Sequence, residues 1–498
     1  MVLNNRLTAW YTPSQEQSGA QKGRSCEEQI LVVRLLIDIA RKLGLTLFIG
    51  GMDYQKAYDT VSRNKLLTML RDAGCGKRFL SAIASSLSCT LSRIGSREFQ
   101  STRGVRQGGP TSCGLFTFYV DCLIKAINNY GPDDWLKISC LMQMDDTLVF
   151  AASRRSFIDK LMIGKSCSDI LDQSMHPVKS KFFTVNSEEN QPIMLDNVMI
   201  SYQAIYVYLG TLLFNASIST QAQEHIKSKN GSKLKFYSFL NKNRNAPFCV
   251  KEKVWSSALT SSIYYSCETW LGCDKRILGA PYLQTLKSLI GVRQTTCTDL
   301  VYTEAGVQSA TSYVLSRQAS FIKRLYTRPE FENTYIGWAV KEAIKVKSPM
   351  GKAIMKIMYD QLPVDTHTAN IALADTTRRK TYYQTMNPTL SRHIIYSSPS
   401  VPEYARISVS RLRLSSHHLR IETGRWARIE RNRRVCRCHD ISPQDEEHVL
   451  FKCPITAPVR TVFPQFANLD NCVDLFEQED LISVAHFCHK SLQKIYES

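Results

Sequence analysis

Leu141-Met142-Gln143-Met144-Asp145-Asp146-Thr147-Leu148-Val149-Phe150 sets two adjacent carboxylates between two apolar runs. It reads as a buried β-hairpin with its charged turn at the tip. Burying unpaired charge costs several kcal/mol, roughly, unless a cation compensates. A divalent cation supplies that compensation, and hard oxygen ligands suit Mg²⁺. Aspartate is also an ordinary turn former, so the pair alone is compatible with a solvated hairpin turn.

A second carboxylate site lies upstream in Leu47-Phe48-Ile49-Gly50-Gly51-Met52-Asp53-Tyr54-Gln55-Lys56-Ala57-Tyr58-Asp59. Asp53 ends an apolar strand, where its carboxylate can face a neighbouring hairpin tip. Phosphoryl transfer with two metals needs carboxylates from separate strands around cations about 3.5–4 Å apart. Asp53, Asp145 and Asp146 form such a set. Between the two sites lies Gly104-Val105-Arg106-Gln107-Gly108-Gly109-Pro110-Thr111-Ser112. Its glycines let a substrate approach the backbone closely, ahead of a helix.

With 498 residues, the chain exceeds one typical domain. Its 44% hydrophobic and 21% charged residues describe a globular protein. A formal charge of +19 and a pI near 9.2 favour polyanions, nucleic acid first. No uncharged apolar run reaches the ~18–20 residues that span a bilayer. The most apolar segment, Ile30 to Ala40, is interrupted by Arg34 and Asp38. The N-terminus lacks the apolar core of a signal peptide. Many of the 16 cysteines stand singly in apolar stretches, which suits reduced thiols. The expected location is intracellular, nuclear and/or cytoplasmic, with no membrane partner.

Ser25 to Lys42 reads as a helix, with a Ser25 N-cap and Glu28 completing a capping box. Leu45 to Met52 reads as a strand weakened by Gly50 and Gly51. Helices follow near 63–73, 113–128 and 156–173, with short strands between 90 and 106. Further strands are expected at Lys181 to Val185 and Ile205 to Leu213. This mixture predicts an α+β domain. From about Thr220 the signals are mainly helical.

In this order and spacing, these segments resemble the reverse transcriptase domain of non-LTR (LINE-type) retrotransposons. Asp53-Tyr54-Gln55-Lys56-Ala57-Tyr58-Asp59 is similar to the first catalytic motif. Gly104 to Ser112 is similar to the template- and nucleotide-positioning loop, and Met144-Asp145-Asp146 stands where the family usually has alanine before its paired aspartates. Glu16 to Ser25 resembles the fingers motif. Lys179-Ser180-Lys181 and Tyr208-Leu209-Gly210-Thr211 resemble the later palm motif and the primer-grip hairpin.

The resemblance implies a right-hand polymerase fold: fingers and palm over 1–215, a helical thumb over 216–310 and a helical connector over 311–405. It implies that Asp53 and Asp145, supported by Asp146, ligate two Mg²⁺ ions. Tyr58 would lie under the sugar, Gln107 would contact the nucleotide near its ribose, and Lys22 and Arg24 would neutralise the triphosphate. Lys179 would be a general acid for the leaving pyrophosphate, and Tyr208, Leu209 and Gly210 would grip the primer. RNA template, DNA primer or target, and dNTPs are the implied partners. The chain is expected to begin within the fingers, with no endonuclease ahead of them. The implied activity is RNA-directed DNA synthesis; the alternative is an inactive, element-derived nucleic-acid-binding protein.

Near the C-terminus, Cys436, Cys438, His448 and Cys453 have the spacing C-x-C-x9-H-x4-C. Three thiolates and an imidazole suit tetrahedral Zn²⁺, and His439 is a substitute ligand. Similar clusters occur late in LINE-type chains. Ten arginines lie between Arg406 and Arg437, with Trp426 among them. The 406–498 region is therefore expected to be an Arg-rich segment with a zinc knuckle that binds along a phosphate backbone.

Overall fold

The strand Leu47–Met52 (β1) is buried along its whole length, because the computed structural model covers both faces of the sheet around it. That double burial explains its uninterrupted apolar sequence. The model describes residues 2–88, 91–106, 108–131, 133–359, 371, 378–438 and 441–498. Two compact units divide the chain. The first comprises 1–224, 266–273 and 318–361, and the second 225–265, 274–317 and 362–498.

In the first unit, Val2–Trp10 (α1) and Cys26–Leu43 (α2) precede β1. Ala57–Thr60 (α3), Arg63–Asp72 (α4) and Lys77–Ser88 (α5) lead to a hairpin of Leu91–Ile94 (β2) and Arg97–Gln100 (β3). Next come Ser112–Asn128 (α6), Cys140–Gln143 (β4), Asp146–Ala151 (β5) and Arg154–Ile170 (α7). Lys181–Val185 (β6), Ile193–Leu195 (β7), Val198–Tyr202 (β8), Tyr206–Tyr208 (β9) and Thr211–Leu213 (β10) complete the strands.

Six strands form one sheet in the order β4-β5-β1-β6-β8-β7, antiparallel except for β6 with β8. Strand alternation sorts its side chains. Phe48 and Met52 of β1 pack with Val149 and Ala151 of β5 among Phe116, Phe157 and Leu161 of α6 and α7. The opposite face, with Leu47, Ile49 and Gly51, lies toward α2 and the β9–β10 hairpin. α2 is buried from Glu28 through Ile37, since helix Tyr335–Lys345 packs on its other side. Arg34 within it is 1% exposed. Its guanidinium donates to the hydroxyls of Thr211 (2.8 Å) and Thr269, and burial lowers its pKa to about 9. The carboxylate of Asp38 accepts from the Met350 backbone N–H at 2.9 Å.

Sequence expectation and structure differ in particular places. Ser25 precedes α2 but makes no side-chain cap bond. Glu28 is instead drawn to Arg24 (3.0 Å) and Arg328 (2.5 Å), two guanidiniums that outcompete a capping amide for a buried carboxylate. α1, α5 and the β7–β8 pair are additional elements. The run from Ile205 to Leu213 is two short strands, turned at Leu209 and Gly210, both at positive φ as a two-residue hairpin requires.

Gly50 and Gly51 do not interrupt β1; they make room. A Cβ on Gly50 would lie 2.4 Å from the Phe157 ring, and one on Gly51 would lie 1.8 Å from the Tyr206 hydroxyl. Gly51→Ala should therefore destabilise the protein by about 1–3 kcal/mol, as overpacking does. Part of that loss should return in the Gly51→Ala/Tyr206→Phe pair, as measured by chemical denaturation.

Candidate active site

The ladder between β1 and β5 pairs Met52 with Thr147. Continued by one step, this register brings Asp53 toward Asp146, close enough for the charge of Asp53 to act on it. β4 and β5 pair Gln143 with Asp146, so Met144 and Asp145 form the turn. Alternation places Asp53 and Asp146 on the sheet face that carries Tyr206. The register thus joins residues far apart in sequence.

Asp53 is fixed through its backbone. Its N–H donates to Ser180 Oγ at 3.2 Å, and its carbonyl accepts from the His176 N–H at 2.7 Å. Met144 has φ +60°, a conformation that costs a non-glycine residue about 1–2 kcal/mol. The buried Gln17 side chain holds it there. Gln17 Oε1 accepts from the N–H groups of Met144 (2.9 Å) and Gly19 (2.8 Å), and Nε2 donates to the Met144 carbonyl (3.2 Å). Ser18 N–H donates to the Met142 carbonyl and Met142 N–H to the Glu16 carbonyl, so 16–18 covers the open edge of β4. Gln29 ties the two together, donating to the carbonyls of Glu16 (2.9 Å) and Met142 (3.2 Å).

The carboxylates perturb one another. Burial and then Asp53 raise the Asp145 pKa. Burial, then Asp145 and Asp53, raise that of Asp146 to about 6. Carboxylates whose pKa values burial and mutual repulsion raise form an environment that a divalent ion relieves, and all their donor atoms are hard oxygens.

A cleft of about 550 Å³ opens beside them, lined by Asp53, Asp146, Lys179, Tyr206, Tyr208, Leu209 and Gly210, among others. It brings six of the residues singled out in the sequence together. Lys179 is exposed there. Tyr208 is 3% exposed, and its hydroxyl has no hydrogen-bond partner among the described residues. Burial and then Asp146 raise its pKa. Tyr58 stacks on Phe116 at a 4.3 Å centroid distance, and Asp145 is among the groups that raise its pKa, after burial and Cys113. The Gly104 loop docks under it: Val105 N–H donates to the Tyr58 carbonyl at 3.0 Å. Gly104 has φ +82°, and a Cβ there would lie 2.9 Å from Asp59 Cα. The buried Arg63 fastens this loop through the carbonyls of Ser101, Arg103 and Gly104. Gln107 lies outside the described residues. Lys22 is exposed, whereas Arg24 is engaged by Glu28 and by the Tyr335 hydroxyl.

In the second unit, the ligand atoms of Cys436, Cys438, His448 and Cys453 lie within 4.8 Å of one another. Cys436 Sγ is 3.7 Å from Cys453 Sγ, and Cys438 Sγ is 3.4 Å from His448 Nε2. These match the edges, about 3.5–3.8 Å, of a tetrahedron with metal–ligand bonds of 2.0–2.3 Å. The four can hold a metal ion. Gln444 Nε2 donates to Cys436 Sγ at 3.4 Å. His439 lies outside the described residues.

The arginine-rich segment needs a correction. Arg406 and Arg413 are each 1% exposed and sit in core ion pairs, with Glu403 (2.7 Å) and Glu304 (2.8 Å). Buried polar partners hold them there: Arg406 donates to Glu403 and to Ser410 Oγ (3.0 Å), and Arg413 donates to both Glu304 oxygens. Arg411, Arg425, Arg428, Arg431, Arg433 and Arg437 are exposed.

Sequence reasoning gave Gln17, Gln29, Ser180 and Tyr206 no part in the site. Gln17 and Ser180 lie within segments that resemble family motifs, but the contacts of all four follow from pairings distant in sequence, which local order does not reveal.

The raised Asp146 pKa has a testable sign. The unfolded carboxyl ionises near pH 4 and the folded one near 6, so stability from its protonated form is full below about 4 and lost by about 6. Asp146→Asn should therefore raise the melting temperature of chelator-treated protein above pH 6. The gain should shrink to nothing as pH falls through 4.

Residues 1–224 match the family model described as reverse transcriptase (RNA-dependent DNA polymerase). A Pol polyprotein from the type-2 retrotransposable element R2DM of Drosophila melanogaster is 26% identical over 167 residues, 32% of this chain and 16% of that one. One from the type-1 element R2 of Popillia japonica is 32% identical over 162 residues, 30% of this chain and 22% of that one. The chain thus matches less than a quarter of the length of either relative. Telomerase from Candida albicans, solved with a fragment of telomeric RNA, superposes at a TM-score of 0.32 with 14% identity over 68% of this chain and 56% of that one, too loosely to carry an assignment. Residues 1–224 thus match a reverse transcriptase domain, and these two relatives, similar to part of the chain, are Pol polyproteins of R2 retrotransposable elements.

Proposed function

We propose that this chain is an RNA-directed DNA polymerase that extends a primer 3′-hydroxyl with dNTPs on an RNA template. The observation that carries the reading is the β1–β5 register, which sets Asp53 opposite Asp146 and beside Asp145. In this reading residues 1–215 supply fingers and palm of a right-hand polymerase, 216–310 the thumb and 311–405 a helical connector. Asp53 and Asp145, with Asp146 in support, would hold two Mg²⁺ ions. When bound, such ions polarise the attacking and leaving oxygens of an in-line displacement.

The chain's own groups do the rest. Tyr58, stacked on Phe116, would lie under the sugar and exclude a 2′-hydroxyl. Gln107 would contact the nucleotide. The exposed Lys22 is the better placed counter-charge for the triphosphate, with Arg24 held beside Glu28. Lys179, in the cleft with Asp53 and Asp146, would protonate the leaving pyrophosphate. Tyr208, Leu209 and Gly210 would hold the primer end, with the Tyr208 hydroxyl, unpartnered among the described residues, as a donor. The Cys436–Cys453 cluster would bind Zn²⁺ and steady the exposed Arg425, Arg428, Arg431 and Arg433 as contacts to the phosphates of template RNA or target DNA. The alternative, an inactive nucleic-acid-binding protein, gives no reason for three carboxylates to converge.

Purified protein should extend a DNA primer on an RNA template with Mg²⁺, and Asp145→Ala should lower the rate at least a hundredfold. Equal inertness of both, with RNA still bound, would remove the polymerase assignment. The zinc reading predicts one equivalent of metal by elemental analysis, lost in Cys436→Ser/Cys453→Ser; full retention in that variant would overturn it.

A further inference from the structure

The second unit carries a row of exposed aromatic rings that the catalytic reading leaves without a task. Helices Glu403–Arg413 and Leu481–Glu497 pack along each other. Tyr404 and Arg411 are two turns apart, on one exposed face of the first. His486, His489 and Tyr496 share a face of the second at the same periodicity. Tyr404 is 49% exposed, lies parallel to His486 (centroids 6.1 Å apart) and meets His489 edge-on at 4.7 Å. Its hydroxyl is 3.2 Å from His486 Nε2.

The row continues past Arg411. His418 meets Tyr496 edge-on at 6.3 Å and Trp426 edge-on at 5.9 Å, and its N–H donates to the Tyr496 hydroxyl at 3.0 Å. Trp426 and Tyr496 are 42% and 46% exposed. The Arg293 guanidinium stands 3.9 Å from the Trp426 ring centroid and donates to the carbonyls of Ser416 (3.1 Å) and Ser415 (3.2 Å), so it braces that ring against the fold while Arg411 is the more exposed cation. The surroundings are positive: after burial, Arg293 and Arg411 hold the His418 pKa down, and His486 and Arg411 do the same to His489. Glu422, which offsets Arg293, is itself buried and paired with Arg379 and Arg425.

Exposed rings that alternate with cations match one ligand chemistry. Unpaired bases present π-faces to the rings while their phosphates reach the cations. A duplex keeps its bases stacked and offers this surface only phosphates, and an acidic peptide would satisfy the arginines but not the rings. We propose that Tyr404, Trp426 and Tyr496, with Arg293 and Arg411, form a stacking surface for a single-stranded polynucleotide. It adds base contacts to the phosphate contacts proposed for the neighbouring arginines, and it needs no catalytic chemistry to act.

The test is fluorescence anisotropy on the full chain with labelled oligo-dT and oligo-U and a mixed-sequence duplex, without added Mg²⁺ or dNTPs. A protein that fails to extend a primer therefore still reports on this surface. Tyr404→Ala/Trp426→Ala should weaken both single strands on the order of tenfold or more, with duplex affinity within about twofold of wild type. Tyr404→Phe/Trp426→Phe should bind as wild type does, and its intact binding separates lost stacking from lost folding. Arg411→Ala should flatten the salt dependence by about one phosphate contact. Unchanged single-strand affinity in the alanine pair, an equal loss for duplex, or loss only of binding to poly-glutamate would each overturn the proposal.

Discussion

Met52 against Thr147 is the pairing on which the candidate centre depends. It fixes the register of β1 on β5, and a slip of one residue would turn Asp53 to the face filled by Phe157 and Phe116. Both faces of β1 are buried, so such a slip would also force Phe48 and Met52 into the face where Tyr206 leaves no room even for a Cβ at Gly51. The large hydrophobic penalty for moving those side chains holds three small, mutually repelling carboxylates together. The two glycines of β1 serve the same end. Without a Cβ at Gly51 the Tyr206 ring can close over the strand beside Asp53.

A second constraint acts at the tip. β4 is the first strand of the sheet, and its outer edge would leave backbone groups open. Residues 16–18 cover that edge, and Gln17 reaches past it to hold both polar groups of the Met144 peptide. The left-handed Met144 and the position of Asp145 are thereby set by a segment more than a hundred residues upstream. The motif around Glu16 to Ser25 is thus a structural partner of the Asp145 turn as well as a carrier of Lys22 and Arg24.

The sequence carried the strongly patterned parts of this account. The apolar runs flanking Asp145-Asp146, the helix that became α2 and the spacing of the Cys-His cluster each depend on local order. What local order does not encode stayed hidden. Glu28 reads as a capping residue because Ser25 lies three positions before it, but Arg328 comes from a segment three hundred residues away. Arg406 and Arg413 read as surface charge because their partners, Glu403 and Glu304, become buried only once the helices pack. Gln17 carries no periodic signal at all. The α5 helix and the β7–β8 pair lie between motifs that drew attention away from weaker periodicity.

The most direct measurement of the central claim counts divalent ions at the three aspartates. Mn²⁺ favours carboxylate oxygens and is visible by electron paramagnetic resonance. Titrated into the full chain, it should fill sites that Asp53→Asn and Asp145→Asn each abolish, although these residues come from different strands. Mn²⁺ binding unchanged in either variant would show that the β1–β5 register does not build one metal centre.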